Sequence, residues 1–335
     1  MGLFFKILLG GFVLCLTLVT IGVAGGSWWA YQQFNKPSAQ AKAVIITIPR
    51  GANIGGVADT LSYENIIEYP MVFSYAGRIT GQASKIKAGE YEIPPHISMK
   101  QILDLLESGK TIQRNITIRE GLTSYQIVKL LSEIEHLKQS DIETPKEGSL
   151  LPETYSYSKG ENIADIIRRM EIAMDNAINE LWESRSPDLP IKTKQEAIIL
   201  ASIIEKETAH PDERARVAGV FINRLRKGMP LQTDPTVIYA ITLGKHENNG
   251  KGPLGRRLLR KDLKFDSPYN TYIYAGLPPA PIANAGYASI KAALNPEEHK
   301  YIYFVADGSG GHAFSKTLRE HNNAAAKWRK IRDSK

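Results

Sequence analysis

Two glutamates lie close to the end of one apolar helical segment, residues 196–208, and helix geometry gives them different surroundings. At 3.6 residues per turn, Glu207 continues the apolar face that contains Leu200 and Ile203. Glu205 points nearly the opposite way. A carboxyl group on the apolar face should be partly desolvated, and the helix C-terminus also disfavours negative charge there. Both effects raise the pKa of Glu207.

A carboxyl group that stays protonated near neutral pH can act as a general acid. Cleavage of a glycosidic bond needs such a group, because the leaving oxygen is protonated as the bond breaks. An alternative is that Glu207 reaches out of the apolar face to a nearby Lys or Arg, since structural ion pairs also perturb carboxyl groups. We take Glu207 as the candidate catalytic acid and base, and we expect Glu205 to be replaceable at modest cost.

Amides, hydroxyls and tyrosines follow in proline-containing loops further along the chain. Such groups suit a sugar-binding cleft, although Asn, Pro and Gly also favour simple turns. Asp234 is the nearest candidate for a second carboxylate, and we expect it to cap the turn before Pro235. The residues that we expect to position sugars or to orient the catalytic carboxyl group are Gln232, Thr233, Asp234, Tyr239, Asn270, Tyr272 and Asn284.

No metal site or cofactor motif is indicated. The single cysteine, Cys15, excludes an intramolecular disulfide and a cysteine metal cluster. His312 and His321 are not spaced like metal ligands. The glycine-rich stretch 307–312 lacks the Lys-Ser/Thr of a phosphate-binding loop, so we predict a hairpin turn there, after a strand-like run at 301–306.

The N-terminus contains an apolar segment, residues 7–29, that is long enough to cross a bilayer, which needs roughly 20 apolar residues. Lys6 precedes it, and Trp29 and Tyr31 stand where interfacial aromatic residues are expected. We therefore predict a cytoplasmic N-terminus (residues 1–6), one transmembrane helix (residues 7–29) and the rest of the chain on the outer side of the membrane. The segment's length and the lack of a small-residue cleavage site argue against a cleaved signal peptide.

The net charge of +7 suits anionic wall polymers or lipid surfaces. The chain shows no compact stripe of Lys and Arg interleaved with aromatic residues, and its expected orientation places it outside the cell. Nucleic acid is therefore not an expected partner.

An internal repeat follows a polar linker at 30–42. A strand-like alternation, a Gly turn and an amphipathic helix occur after residue 46 and again after residue 116. We predict a small β/α module at 43–113, and a second related unit at 114–135. The first copy, VIITIPRGANIGGVADTL, resembles the start of a LysM carbohydrate-binding module. Glycan binding and a spacer role both remain open for it.

For the remaining chain, residues 114–335, we predict a catalytic domain that contains both helices and strands. Thr193-Lys194-Gln195-Glu196 is a capping-box sequence at the head of the Glu207 helix. A long helix is predicted at 163–183, and a second amphipathic helix is predicted to end near Gly228. The expected fold class is α+β.

Several motifs together resemble the endolytic murein transglycosylase (YceG-like) family: ASIIEKET, VFINRLRKGMPLQTDPTVIYA, YNTY, GLPPAPIAN and YFVADGSGGHAFS. The resemblance extends over nearly the whole chain. It implies an enzyme that cleaves the β-1,4 bond between N-acetylmuramic acid and N-acetylglucosamine within a peptidoglycan strand, leaving a 1,6-anhydro-muramyl end. The family's single catalytic glutamate precedes a Thr, which corresponds here to Glu207-Thr208.

The resemblance also implies that Glu207 acts first as acid and then as base, without a second carboxylate or a cofactor. It suggests peptidoglycan synthases as partners. One departure is visible: Asn284-Ala285-Gly286 stands where the family often has Asn-Pro-Gly, which weakens the inferred role of Asn284. Two other functions stay open. One is a hydrolytic muramidase with Glu207 as acid and Asp234 as base, and the other is a non-enzymatic peptidoglycan-binding scaffold.

Overall fold

The computed structural model describes residues 2–208, 210–245 and 254–333. It divides into two compact units, Met1–Arg114 with Ser158–Gly160, and Asn115–Tyr157 with Glu161–Lys335. The mixture of helices and two-stranded sheets is α+β, as predicted.

The first unit has two helices between its two strands. Its elements are α1 (Gly2–Asn35), β1 (Val44–Ile48), α2 (Ile54–Tyr63), α3 (Pro70–Ile79), β2 (Gly89–Ile93) and α4 (Met99–Ser108). The strands pair antiparallel, with Val44 opposite Ile93 and Ile48 opposite Gly89. Apolar side chains from both strands and from α2, α3 and α4 form one core. After α1, the unit therefore consists of a strand, two helices, a second strand and a third helix around one core.

The apolar helix α1 continues beyond the predicted membrane segment. Among the described residues it is the one helix long and apolar enough to cross a membrane, over Phe5–Asn35. It ends six residues after position 29, so the first part of the predicted linker is helical. The segment after α1 is attached to the first unit. Pro37 forms an antiparallel β-bridge with Ser98, and the Ser38 N–H donates to the Ile97 carbonyl at 3.1 Å.

The second unit carries most of the helices. Its elements are β3 (Arg114–Thr117), α5 (Ser124–Ser132), β4 (Thr154–Tyr157), α6 (Ile163–Glu183), α7 (Lys194–Glu207), α8 (Arg214–Arg226), α9 (Asp234–Thr242), α10 (Tyr287–Leu294), β5 (Tyr303–Ala306), β6 (His312–Ser315) and α11 (Leu318–Asp333). β3 pairs with β4, and β5 pairs antiparallel with β6. The predicted hairpin is confirmed, because Ala306 lies opposite His312 across the glycine-rich turn.

The internal repeat is present in both units. β1 and β3 are each followed by a glycine turn and then by a helix, α2 or α5. Gly51 and Gly121 have φ values of +79° and +77°, a region in which residues with a Cβ are strained. Helix N-caps follow in both copies: the side chains of Asn53 and Thr123 accept backbone N–H groups of α2 and α5.

Helix α7 runs through the centre of the second unit. All residues from Ala197 to Ile204 are buried, so the helix is surrounded by protein instead of presenting one apolar face. The predicted capping box is confirmed: the Thr193 hydroxyl accepts the Glu196 N–H at 3.1 Å, and the Glu196 carboxylate accepts the Thr193 N–H at 3.3 Å. The cap fixes where α7 begins, and packing on all sides fixes where its last residue, Glu207, lies.

Candidate active site

Glu207 is the last residue of α7, and its carboxyl group is held by a neighbouring loop. The Thr233 hydroxyl donates a hydrogen bond to Glu207 Oε1. The Glu207 residue remains partly accessible to solvent, although protein surrounds its carboxyl group. An oriented carboxyl group that a ligand can still reach is suited to proton transfer.

Burial raises the pKa of Glu207 to about 7. The negative charge of Asp234 acts in the same direction, whereas the Thr233 hydrogen bond and the positive charges of His312 and Arg224 oppose it. The largest cause is desolvation, as the sequence analysis expects. Near neutral pH, Glu207 therefore exists in both protonation states, and a pKa near the operating pH suits a group that first donates a proton and then accepts one.

Glu205 also has a buried side chain. Its side chain is 5 % exposed, its Oε2 accepts the Gly286 N–H at 3.0 Å, and its Oε1 lies 3.8 Å from Arg214 Nη2. These contacts lead us to expect a larger cost of replacing Glu205 than the sequence suggests, because helix geometry does not show which groups pack against a given face.

We expect Glu205→Ala to lower the free energy of unfolding by about 3 kcal/mol, because the buried Gly286 N–H loses its acceptor and Arg214 keeps only Glu120 as its carboxylate partner. Glu205→Gln should cost less, since an amide oxygen can still accept the Gly286 N–H. Denaturant unfolding checks both variants. Glu183→Ala, at an exposed position, is the control and should stay within about 0.5 kcal/mol of wild type. Equal stability of Glu205→Ala and this control would contradict the structural role.

The loop before α9 places Thr233 against Glu207. Thr233 is 2 % exposed, and its N–H donates to the Thr271 hydroxyl at 3.1 Å. The N–H of Gln232 donates to the Thr271 carbonyl at 3.0 Å, and Gln232 has a positive φ of 49°. The side chain of Gln232 is exposed. Of these two predicted site residues, Thr233 orients the carboxyl group, and Gln232, next to it in the loop, has an exposed side chain.

Asp234 and Tyr272 form a second pair at this end of α9. The Tyr272 hydroxyl donates to Asp234 Oδ1 at 2.6 Å. Asp234 is the first residue of α9 and makes no capping bond, so the predicted turn cap is wrong. Its carboxylate instead accepts the hydrogen bond from Tyr272. Burial raises the pKa of Tyr272, so the phenol remains a donor.

Asn270 and Asn284 are fully buried, and their amides are engaged by the protein. The Asn270 amide donates to the carbonyls of Leu263 and Phe265 at 3.0 and 2.8 Å. Asn284 Oδ1 accepts the Leu150 N–H at 2.9 Å. Direct sugar contact by these two asparagines is therefore not supported, and we assign them the role of fixing loops.

A second carboxyl group with a strongly raised pKa, Glu147, was not predicted. Its Oε1 accepts the Ser124 N–H at 2.9 Å and the Asn284 amide at 3.1 Å, and its Oε2 lies 3.4 Å from the Tyr239 hydroxyl. Burial raises the pKa of Glu147 to about 7. It lies in a polar stretch without helical or strand periodicity, so the sequence carries no local signal for it. Tyr239 packs against Tyr269, with ring centroids 5.0 Å apart.

Arg224 is another residue that sequence reasoning missed. It is 7 % exposed, and its guanidinium donates to the carbonyls of Ile302 at 2.7 Å and Leu231 at 2.8 Å. It thus ties the segment before β5 to the loop that carries Thr233. The helical pattern of α8 predicts its apolar positions, but it does not show that an arginine faces inward to bind carbonyls.

Within the described ranges, no group of three His, Cys, Asp or Glu residues is arranged to hold a metal ion. His312 pairs with Glu213, with 2.7 Å between His312 Nδ1 and the carboxylate. The groups that the site around Glu207 presents to a ligand are carboxyl, hydroxyl and amide groups.

Comparison with known proteins agrees with the sequence motifs. The YceG-like family model matches residues 46–327. An endolytic murein transglycosylase of Bacillus subtilis is 36% identical over 317 residues, which cover 85% of this chain and 84% of the relative. One of Streptococcus pneumoniae is 26% identical over 361 residues, and the match spans 93% of this chain but only 63% of that longer protein.

A solved structure also matches. The crystal structure of a YceG-like protein from Listeria monocytogenes has 33% sequence identity and a TM-score of 0.51, and the match covers 84% of this chain and 99% of that one. Taken together with the family-model match over most of the sequence, these similarities show that the chain belongs to the YceG-like family.

Proposed function

We propose that this protein is a lytic transglycosylase that cleaves peptidoglycan strands internally, with Glu207 as its catalytic acid and base. The observation that carries the proposal is the Glu207 carboxyl group itself, which is oriented by Thr233 and half protonated near pH 7, on a residue that remains partly accessible to solvent. The relatives named endolytic murein transglycosylases supply the substrate and the mode of cutting.

The proposed reaction uses one carboxyl group twice. Protonated Glu207 donates its proton to the oxygen that links N-acetylmuramic acid to N-acetylglucosamine, and the bond to C1 breaks. The Glu207 carboxylate then takes the proton of the muramyl C6 hydroxyl, whose oxygen bonds to C1 of the same sugar. A 1,6-anhydro ring forms, no water is consumed, and Glu207 returns to its protonated state. Hydrolysing glycosidases instead use two carboxyl groups.

Gln232, Asp234, Tyr239 and Tyr272 are proposed to contact the sugars. The Gln232 side chain is exposed beside Thr233, and the Asp234–Tyr272 pair lies at the start of α9. Tyr239 lies five residues further along α9, about 8 Å at 1.5 Å per residue, and contacts Glu147. These groups are spread over about 8 Å along α9 and the loops beside it, which suits a substrate longer than a single sugar.

We also propose that α1 anchors the protein in the inner membrane, with both compact units on the periplasmic side. The apolar helix Phe5–Asn35 and the basic residue before it support this placement. Phe34 packs against the core of the first unit, which favours a helix that stays attached after synthesis. Glycan binding by the LysM-like module and contact with peptidoglycan synthases remain proposals that follow from the family resemblance.

The proposed role of Glu207 predicts a specific pH dependence. Since its pKa is raised to about 7, the acid form dominates below pH 7, and the cleavage rate should fall about tenfold per pH unit well above it. Thr233→Val removes a hydrogen bond that lowers this pKa. The alkaline limb of the pH–rate profile, where the cleavage rate falls, should therefore move to higher pH. Rates of product release from uncrosslinked glycan strands, measured from pH 5 to 9, check both statements.

Glu147→Gln is the control for the pH profile, because Glu147 has a pKa in the same range but a different set of neighbours. The alkaline limb should keep its position in this variant. If the limb disappears in Glu147→Gln and does not move in Thr233→Val, then Glu147, and not Glu207, is the titrating group.

A further inference from the structure

The exposed face of α3 is unusually apolar. Met71, Tyr75 and Ile79 are 68, 56 and 84 % exposed, and their spacing of four residues places them on one side of the helix. Neighbouring positions such as Phe73 and Gly77 face the core of the first unit instead. An exposed apolar row of this kind marks a surface that contacts another protein or a membrane.

This row is continuous with the end of the proposed membrane anchor. The last turns of α1 and the length of α3 enclose a groove of about 850 Å³. Its walls are mainly apolar and aromatic, and they include Trp29, Tyr31 and Phe34 from α1, and Tyr69, Met71 and Tyr75 from α3 or its N-cap. Glu68 and Lys100 lie at its polar edge. One wall of the groove is thus formed by the helix that enters the bilayer.

The contact between the two helices sets the depth of α3. At 1.5 Å per residue, the 20 residues from position 7 to 26 span about 30 Å, the thickness of the hydrocarbon core. Trp29 then lies in the interfacial layer, as tryptophans beside membrane helices commonly do. The rings of Trp29 and Tyr69 meet edge to face, with centroids 4.9 Å apart. The first turn of α3 is therefore at headgroup depth.

The connection after α1 keeps the unit at that depth. Phe34 packs against the core of the first unit, and the Ser38 N–H donates to the Ile97 carbonyl at 3.1 Å. Further along, the His96 N–H donates to the Gln40 carbonyl at 3.0 Å. These contacts couple the helix end to the folded unit at several points, so α3 and the anchor move together.

We propose that lipids of the bilayer that α1 crosses fill this groove and cover the apolar row, so that α3 is an interfacial membrane-binding helix. This rests on the proposed anchoring. Acyl chains and glycerol groups match the apolar walls, and the exposed Arg78, whose guanidinium lies 5.9 Å from the Tyr75 ring centroid, can reach lipid phosphates. An amphipathic helix with aromatic and basic residues is the usual form of such a surface. The first unit then rests on the membrane instead of extending freely from it.

Quenching of site-specific fluorophores tests the proposal on the full chain. The protein is reconstituted in phosphatidylethanolamine–phosphatidylglycerol nanodiscs, and Cys15→Ser removes the one native cysteine. A fluorophore is then attached through Met71→Cys, Tyr75→Cys or Ile79→Cys. Ile21→Cys in α1 is the lipid reference, and Asp59→Cys, exposed on α2, is the aqueous control. Nitroxide lipids quench groups in the bilayer, and iodide quenches groups in water.

We expect at least threefold stronger nitroxide quenching at the three α3 positions than at Asp59→Cys, together with weak iodide quenching. Strong iodide quenching at the α3 positions, with Ile21→Cys still quenched by nitroxide, would overturn the interfacial helix and leave the anchor intact. Loss of nitroxide quenching at Ile21→Cys would refute the anchor itself. Shielding of the α3 positions from both quenchers would show that protein, including a second copy of this chain, covers the row, and would also overturn the proposal.

Discussion

Glu207→Gln should reduce glycan cleavage by about 10³-fold or more, because general acid–base catalysis contributes roughly 10²–10⁴ and this one group supplies both proton transfers. An amide cannot donate a proton to the glycosidic oxygen, and it cannot accept one from the C6 hydroxyl. The measurement is the rate at which purified uncrosslinked glycan strands are cut by wild type and variant, with products identified by mass. Wild-type products should carry anhydro ends, lighter than hydrolysed ends by one water.

The variant should remain folded, which separates a chemical loss from a structural one. The amide oxygen that replaces the carboxylate can still accept the Thr233 hydroxyl. The pKa of Glu207 is raised to about 7 from an ordinary 4.5. Between these two pH values the folded state holds a proton on Glu207 that the unfolded state has lost. The contribution of Glu207 to wild-type stability therefore falls as pH rises from about 4.5 to 7 and levels off above. Glu207→Gln lacks this titration and should unfold at a temperature no lower than wild type at pH 8.

Product mass also separates the two rival functions. Reducing ends from the wild type, together with loss of activity in Asp234→Asn, would favour a hydrolytic muramidase in which Asp234 acts as base. Glycan binding without cleavage by the wild type would favour a scaffold. If Glu207→Gln binds strands as well as the wild type but does not cut them, the scaffold is excluded as the whole function.

Asn284→Ala should lower the free energy of unfolding by about 2–3 kcal/mol. The Asn284 side chain is fully buried and makes four hydrogen bonds, with Leu150, Leu122, Ser124 and Glu147. Removing it leaves the Leu150 N–H without its partner in a buried site, and a buried unsatisfied group costs about 1–3 kcal/mol. The cavity left by the side chain adds to this cost. For a unit of this size, the melting temperature should fall by roughly 5–10 °C.

Gln232→Ala is the matched control, because the sequence predicts the same sugar-contacting role for both residues. The Gln232 side chain is exposed, so its removal should leave the melting temperature within about 1 °C of wild type while weakening glycan binding. The reverse result, a stable Asn284→Ala with weak glycan binding and an unstable Gln232→Ala, would restore Asn284 as a sugar ligand.

The features that the sequence predicts correctly depend on residues close together along the chain. The apolar segment after Lys6, the long helix 163–183 and the capping box at Thr193 follow from length, periodicity and cap chemistry. The glycine turn before β6 and the repeated strand, glycine turn and helix follow from the same local rules. These local signals locate Glu207 at the end of its helix and suffice to recognise the family, because the motifs are themselves short and local.

The surroundings of Glu207 depend on contacts between residues that are far apart in sequence. Thr233 reaches Glu207 from 26 residues away, and Asn284 reaches Glu147 from 137 residues away. Helical geometry separates Glu205 from Glu207 correctly, but it cannot show that Glu205 faces Gly286 instead of water. Only tertiary packing decides which groups are desolvated and which donors form hydrogen bonds with them. Desolvation and hydrogen bonding in turn set the pKa of a carboxyl group. The sequence alone therefore identified the candidate acid, whereas the tertiary structure decided its pKa, its orientation and the presence in the same unit of Glu147, a second carboxyl group with a raised pKa.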